Sequence, residues 1–347
     1  MLYVGVDHHK HYSYLTAVDA GGKVRKSCRL PNEREVLAQV LADLGEPCCS
    51  VLEAGRSWGV MYDLLEELEA QPVLANPYQV RAIAQAKVKT DRIDSHTLAQ
   101  LLRGDLIPRA HVPTRATRYL KDILRQRLFL VRMRTMIKNR VHALLDRNHV
   151  ITPHLSDLFG RAGRTYLAAL ELPAYEGALL QGHLRLLGTL DEHLKETEGW
   201  LSEALQEDRR VSLLRTVPGL GPILGALVAL EIDDISRFPV SAKLCAYAGL
   251  VPSVHSSGGK TYCGRLLFQS NHHLRWAMIE AAWLALGRSP YCRAYYERIR
   301  RHKNHNVAIT ALARRLLEIV HAILTEDRPY QERPVPTHVA PAALAFA

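Results

Sequence analysis

The sequence predicts an α/β N-terminal domain, a pair of long helices in the middle, and a mostly α C-terminal domain. Three observations predict it. Short apolar runs at strand spacing, broken by Gly and Asp, alternate with amphipathic segments across positions 2–75. Positions 115–147 and 176–205 carry uninterrupted helical periodicity with no Pro or Gly-rich break. From position 209 onward, apolar helical segments are separated by Pro/Gly turns.

Taken in order, Leu2–Val6 is an apolar run ending on Asp7, Tyr12–Val18 alternates, Asp19–Gly22 is a turn, and Val24–Leu30 resumes an extended pattern. Asn32–Leu44 is predicted as a helix, with Asn32 as N-cap and Glu35 as its capping-box partner. Cys48–Leu52 is a buried strand ending on Glu53, Ser57–Ala70 an amphipathic helix, and Pro72–Ala75 a short strand. Ala86–Leu102 then opens a helix with Asp91 and Asp94 three residues apart. That spacing puts both on one face, with Cβ atoms about 5–6 Å apart. Lys87 and Lys89 lead into it.

If the first and fourth strands are neighbours, Asp7 and Glu53 converge on the helix that carries Asp91 and Asp94. At 4 Å and an effective dielectric of about 20, each carboxylate pair repels by about 4 kcal/mol. Such a cluster calls for protonation or metal, and two Mg²⁺ about 3.5–4 Å apart suit phosphodiester chemistry. Each acid alone reads equally well as a cap, a strand end or a surface charge. The four on this element order do not.

The totals agree with a nucleic-acid partner. The chain has 347 residues, enough for two or three domains, and a net charge of +10. Its pI is near 9.4, and its mean hydropathy of −0.10 is that of a core-forming chain. The six cysteines make no CxxC pair and read as reduced thiols. No signal-peptide pattern opens the sequence, and the longest apolar run, near Ile223–Ile232, is too short to span a bilayer. The expectation is a cytoplasmic chain with no membrane partner.

Arg115–Arg147 carries ten Lys/Arg against two Asp, an excess of eight positive charges. Arg118, Arg125 and Arg132 repeat every seven residues and stack on one side, with Lys138 further along. A helix so basic suits a phosphate backbone. Leu180, Leu187, Leu194 and Leu201 recur at intervals of seven in the second helix, predicting an antiparallel coiled coil with the first.

Thr216–Glu231 has the pattern of a helix-hairpin-helix around Pro218-Gly219-Leu220-Gly221, and equally of a plain buried helix pair. After the apolar Phe238–Pro252 comes a polar loop, His255–Lys260, whose Ser-Gly-Gly segment can approach a phosphate, with Lys260 and Arg265 to balance charge. Trp276 and Trp283 lie in a helix read as core packing. Tyr291–Lys303 mixes aromatics and arginines and reads as a nucleic-acid contact or a surface helix. The Pro- and Ala-rich end, after Pro329, is expected to be disordered.

The element order together with VGVDHHK (4–10), VLEAG (51–55) and KTDRIDSHTLA (89–99) resembles the RuvC-like, ribonuclease-H-like domain of the DEDD transposases, the insertion-sequence 110 family. The family's Asp-Glu-Asp-Asp tetrad falls on Asp7, Glu53, Asp91 and Asp94, which the resemblance implies as catalytic Mg²⁺ (or Mn²⁺) ligands. Gly249–Pro252, then Ser256–Lys260 and Gly264-Arg265, match the family's C-terminal transposase domain. There the serine before Gly is the nucleophile that joins DNA covalently; the matching position is Ser257, with Ser256 the weaker match. Phe268-Gln269-Ser270-Asn271 departs from the family's Lys-Arg-Gly-Asn-like segment, keeping only Asn271.

The resemblance runs from Leu2 to about Glu326. It implies a RuvC-like catalytic domain over 1–110, a basic coiled-coil region over 111–208, a C-terminal transposase domain over 209–327, and a tail over 328–347. It implies a recombinase of a mobile element acting on DNA through a phosphoserine link. It further implies a structured non-coding guide RNA and a homo-oligomer (dimer or tetramer). The alternative is a RuvC-like nuclease or junction resolvase using water. A non-catalytic nucleic-acid binder is the third reading, and four intact carboxylates count against it.

Overall fold

The computed structural model describes residues 1–84 and 90–335. Lys87 and Lys89, predicted to contact nucleic acid, lie outside the described residues, as does 336–347 of the predicted tail. The chain forms two compact units, one over Met1–Pro113 and the other from Thr114 onward.

In the first unit, strands β1 (Leu2–His8), β2 (Tyr12–Val18) and β3 (Val24–Pro31) form an antiparallel meander. Helix α1 (Arg34–Ala42), strand β4 (Cys48–Glu53), helix α2 (Trp58–Glu67), strand β5 (Pro72–Ala75), and helices α3 (Pro77–Ile83) and α4 (Asp91–Arg103) follow. The sheet order is β3-β2-β1-β4-β5, with β4 parallel to β1 and β5 parallel to β4. The first and fourth strands are therefore neighbours, with Gly5 opposite Val51 and Val6 opposite Leu52.

Strand alternation assigns the two faces. Leu2, Val4, Val6 and Leu52 point into the core that holds Leu37 of α1 and Met61 and Leu65 of α2. Val51 and Tyr3 face the other way, onto Leu98, Leu101 and Leu102 of α4. Gly5 is where α4 crosses β1. A Cβ there would overlap Ser95 O and crowd Ala99 N, so no larger residue lets the helix lie this close. Ser95, fully buried, hydrogen-bonds Thr16 Oγ1 of β2 at 2.8 Å and locks the crossing.

The predicted Asn32 cap of α1 is corrected. The helix begins at Arg34, and Glu33 at the N-cap makes no side-chain cap. Asn32 is used elsewhere: its Nδ2 donates to His9 O at 2.7 Å and its Oδ1 accepts from Ser13 Oγ at 2.7 Å. Tertiary hydrogen bonds outcompete the local cap.

In the second unit, α5 spans Arg115–Arg147 and α7 spans Ala174–Ala204, with α6 (Arg161–Ala169) between. They run antiparallel, since Arg127 pairs with Glu198 at 2.6 Å and Arg134 with Asp191 at 3.3 Å. Val141, Leu144 and Leu145 pack with Leu180 and Leu187, and Leu130 with Leu190 and Leu194. Leu124 and Leu201 belong to the C-terminal core, so the helical middle shares that core.

The C-terminal helices are α8 (Arg209–Leu214), α9 (Pro222–Ile232), α10 (Ser241–Tyr247), α11 (His272–Ala285), α12 (Pro290–Arg300) and α13 (His305–Glu326). α8 and α9 flank the Pro-Gly-Leu-Gly turn, where Gly219 (φ +90°) packs directly against Ala281 O. Every residue of α9 from Gly225 to Ile232 is buried.

Three expectations change here. The loop His255–Lys260 is a β-hairpin, β6 (Pro252–Ser257) and β7 (Lys260–Leu266). Gly258 (φ +57°) and Gly259 (φ +76°) form the two-residue turn, the backbone that matches the twist of paired strands. Trp276 and Trp283 are not core: they are 40% and 43% exposed, while Leu274, Ala277, Met278, Ala281 and Ala285 fill the inner face. The start of the tail is docked, because Glu332 accepts from Ser289 Oγ at 2.7 Å and from Tyr291 N–H at 3.2 Å.

Candidate active site

β1 delivers Asp7 at its C-terminal end, on the face that α4 covers. The next step of the β1–β4 register places Glu53 beside it, on that same face, exposed at the end of β4. α4 contributes Asp91 and Asp94 in its first turn. Thr90 caps the helix, its hydroxyl accepting from Ile93 N–H at 3.3 Å. The local sequence thus sets the Asp pair on the helix, and the Gly5 crossing sets the helix on the strand ends.

The closest grouping among the described residues is Asp7, His9 and Asp91, whose ligand atoms lie within 4.8 Å of one another. His9 Nε2 bridges the two carboxylates, 3.2 Å from Asp7 Oδ2 and 3.4 Å from Asp91 Oδ1. Tyr12 Oη donates to Asp91 Oδ2 at 3.0 Å, and the Arg29 guanidinium stacks 3.7 Å over the Tyr12 ring. Burial pushes the Asp7 carboxyl above its ordinary value, against the pull of His9, and the negative charges of Asp91 and Asp94 push it further. Asp7 thus feels both acids of the helix pair.

A separate brace holds the β1–β2 turn from the other face. Because Asn32 Nδ2 donates to a backbone carbonyl, its Oδ1 must accept, so Ser13 donates to it. Ser13 Oγ then receives His8 Nδ1–H at 3.0 Å, and His8 Nε2 accepts from Ser57 Oγ at 3.0 Å. Burial, and then the neighbouring His9, lower the His8 pKa, in keeping with this neutral form.

Sequence reasoning missed His9 and Tyr12 as members of the cluster. The adjacent histidines of Asp7-His8-His9 were a signal for His9. Tyr12 left none, since only the turn between β1 and β2 brings its phenol to Asp91.

The other predicted residues fall in the second unit. Ser257 is exposed at the tip of the hairpin, opposite Lys260 in the register; Lys260 and Arg265 are exposed too. Ser256 pairs with Thr261, their hydroxyls 3.3 Å apart. Along α5, Arg132 is exposed, Arg118 is half-buried, and Lys138 lies 4.8 Å over the Phe159 ring. Arg125 is partly turned inward, with Nη2 3.4 Å from the buried Glu231. Lys121, Arg127 and Arg134 are also ion-paired, so acids of α7 and α9 absorb much of the charge of α5.

The oxygen donors fit a divalent cation. Ligand atoms within 4.8 Å of one another can all face one ion at its usual distance of about 2.0–2.6 Å, and hard carboxylates suit Mg²⁺ or Mn²⁺. Fold and site define a basic α/β protein with a carboxylate–histidine centre at its strand ends, followed by a helical unit.

Comparison with known proteins supplies the family. A model of DEDD transposases of the IS110 type matches residues 4–150, and a model described as the transposase IS116/IS110/IS902 family matches residues 211–297. The chain is 27% identical to the transposase for insertion sequence element IS1328 of Yersinia enterocolitica, over 95% of this chain and 98% of that one. It is 25% identical to the insertion element IS116 uncharacterized 44.8 kDa protein of Streptomyces clavuligerus, over 98% of each. It is also 25% identical to the transposase for IS1111A of Coxiella burnetii, over 94% and 91%. The chain belongs to the IS110/IS116 family of DEDD transposases, which implies use of a divalent metal. Among the described residues, no helix is long and apolar enough to cross a membrane.

Proposed function

We propose that the protein cuts and rejoins DNA as the recombinase of an insertion sequence, with Asp7, Glu53, Asp91 and Asp94 as the metal-binding tetrad. The observation that carries this is the meeting of two strand ends and one helix start on a single face of the sheet. The sheet order supports a RuvC-like, ribonuclease-H-like reading of the first unit. Bound Mg²⁺ or Mn²⁺ would neutralise the carboxylates and polarise the scissile phosphate. His9 and Tyr12 hold Asp7 and Asp91 in place meanwhile, each by a hydrogen bond to a carboxylate oxygen.

Ser257 is the proposed nucleophile. Its Oγ attacks phosphorus, the bond from phosphorus to one sugar oxygen breaks, and that oxygen leaves with a proton. The serine phosphodiester conserves the bond for rejoining to a second strand. A serine hydroxyl needs activation, and among the described residues no hydrogen bond engages that of Ser257. The proposal includes a homo-oligomer, dimer or tetramer. The helix pair reads as a coiled coil, the α8–α9 turn as a helix-hairpin-helix, and the net charge of +10 accommodates a guide RNA beside DNA.

The test is a search for a covalent adduct. The protein is expressed with its intact element, denatured and digested, and Ser257 is inspected by mass spectrometry for a nucleotide. An Mg²⁺-dependent adduct that disappears in Asp7→Ala is the expected result. Cut DNA with free ends and no adduct promotes the water-using nuclease, and an adduct on Ser256 moves the nucleophile by one residue.

A further inference from the structure

Glu231 lies near the end of α9 and is only 5% exposed. A carboxylate so buried is costly unless it is paired. Groups from two other helices answer it. Lys121 Nζ of α5, itself buried, is 3.4 Å from Oε2, and Arg125 Nη2, one turn on, is 3.4 Å from Oε1. Asn271 Nδ2 donates to Oε2 at 2.8 Å.

Asn271 is also where the serine hairpin is rooted. Its Oδ1 caps α11 by accepting from Leu274 N–H at 3.0 Å. Its backbone N–H donates to Tyr247 O at 2.7 Å, and its Nδ2 reaches Tyr247 Oη at 3.1 Å. Tyr247 ends α10 just before β6, and Asn271 follows just after β7, so one side chain clamps both roots. One turn later, Arg275 donates to Ala248 O at 3.2 Å on the incoming root, and to Leu267 O and Ser270 Oγ on the outgoing one. Gly249 (φ +67°) lets it pass, since a side chain there would overlap the guanidinium.

We infer that Glu231 is a positioning residue for Ser257, tying the basic helix α5 to both roots of the hairpin through Asn271. The inference rests on reading Ser257 as the nucleophile and α5 as a DNA-contacting helix. A six-residue strand is about 20 Å long at roughly 3.3 Å per residue, so a tilt of about 3° at the root moves the tip about 1 Å. A misplacement of about 1 Å costs about 100-fold in rate. The tie therefore sets both the efficiency of the attack and which phosphate is attacked.

The experiment uses the full chain expressed with its intact element, and reads recombination junctions by sequencing. Glu231→Gln keeps the shape and removes the charge. The paired variant Lys121→Met/Glu231→Met removes both buried charges, and carries the test if the single variant does not fold. Expected in both are folded protein, about 100-fold fewer junctions, and junctions scattered over neighbouring nucleotides where the native protein uses one position. Native junction numbers at one position in either folded variant overturn the inference. Ser257→Ala run in parallel separates the two ideas. Junctions surviving in that variant defeat the nucleophile reading itself. Their loss there, with a normal Glu231→Gln, defeats only the positioning role.

Discussion

Asp7 shows how a carboxylate cluster is held against its own stability. Its carboxyl titrates above the ordinary 3.8, mainly through burial and then through Asp91 and Asp94, with His9 opposing. A raised acid binds its proton more tightly in the folded state, so folding stability falls as pH rises from the unfolded value through the folded one. In metal-free protein, Asp7→Asn should therefore raise Tm at neutral pH, and the difference should shrink to nothing below pH 4 or so. Adding Mn²⁺ should reverse the order, raising Tm of the native protein more than that of the variant. Thermal melts with and without metal across this range check both signs. Tyr12→Phe should leave the fold intact and lower cleavage by about 10-fold, since it removes one hydrogen bond to Asp91 worth roughly 1–1.5 kcal/mol; single-turnover cleavage measures it.

At the scale of elements, the crossing of α4 over β1 depends on one missing side chain. Gly5→Ala forces a methyl into Ser95 O, and overpacking of this kind costs about 1–3 kcal/mol or more. Urea melts should give a lowered midpoint, and cleavage should fall with it because Asp91 and Asp94 move away from Asp7. The serine hairpin makes the opposite case. Gly258 and Gly259 both have positive φ, where an L side chain costs about 1–2 kcal/mol. Gly258→Ala/Gly259→Ala should speed amide exchange in β6 and β7 while leaving the α9 and α11 amides protected, as the hairpin lies outside the cores. Asn32 carries the other lesson of this scale. Its sequence context is that of a helix cap, yet a carbonyl and a hydroxyl from β1–β2 claim both ends of its amide. Local pattern reads local competition only.

At the scale of the molecule, net charge and usable charge differ. The sequence gives +10, but Lys121, Arg125, Arg127 and Arg134 each face an acid across the helix packing. Arg132→Ala should lower the salt slope of duplex binding by about 0.9, as expected for one lost phosphate contact. Arg127→Ala and Arg134→Ala should lower Tm instead and leave the slope nearly unchanged. Filter binding from low to moderate salt, beside thermal melts, separates the two classes.

The sequence by itself determined most of the elements and the carboxylates of the candidate site. Tyr12–Val18 and Arg115–Arg147 stand in the structure as their periodicities predict, because strand and helix spacing are properties of a short stretch of chain. It also determined that Asp91 and Asp94 share a helix face, and that Asp7 and Glu53 end strands. The tertiary structure decided what those residues meet. It set β4 beside β1, admitted His9 and Tyr12 to the carboxylates, drew Arg125 toward Glu231, and turned Trp276 and Trp283 outward. The physical reason is range. Backbone propensity acts over a few residues, whereas hydrogen bonds and ion pairs form between groups that only chain topology brings together.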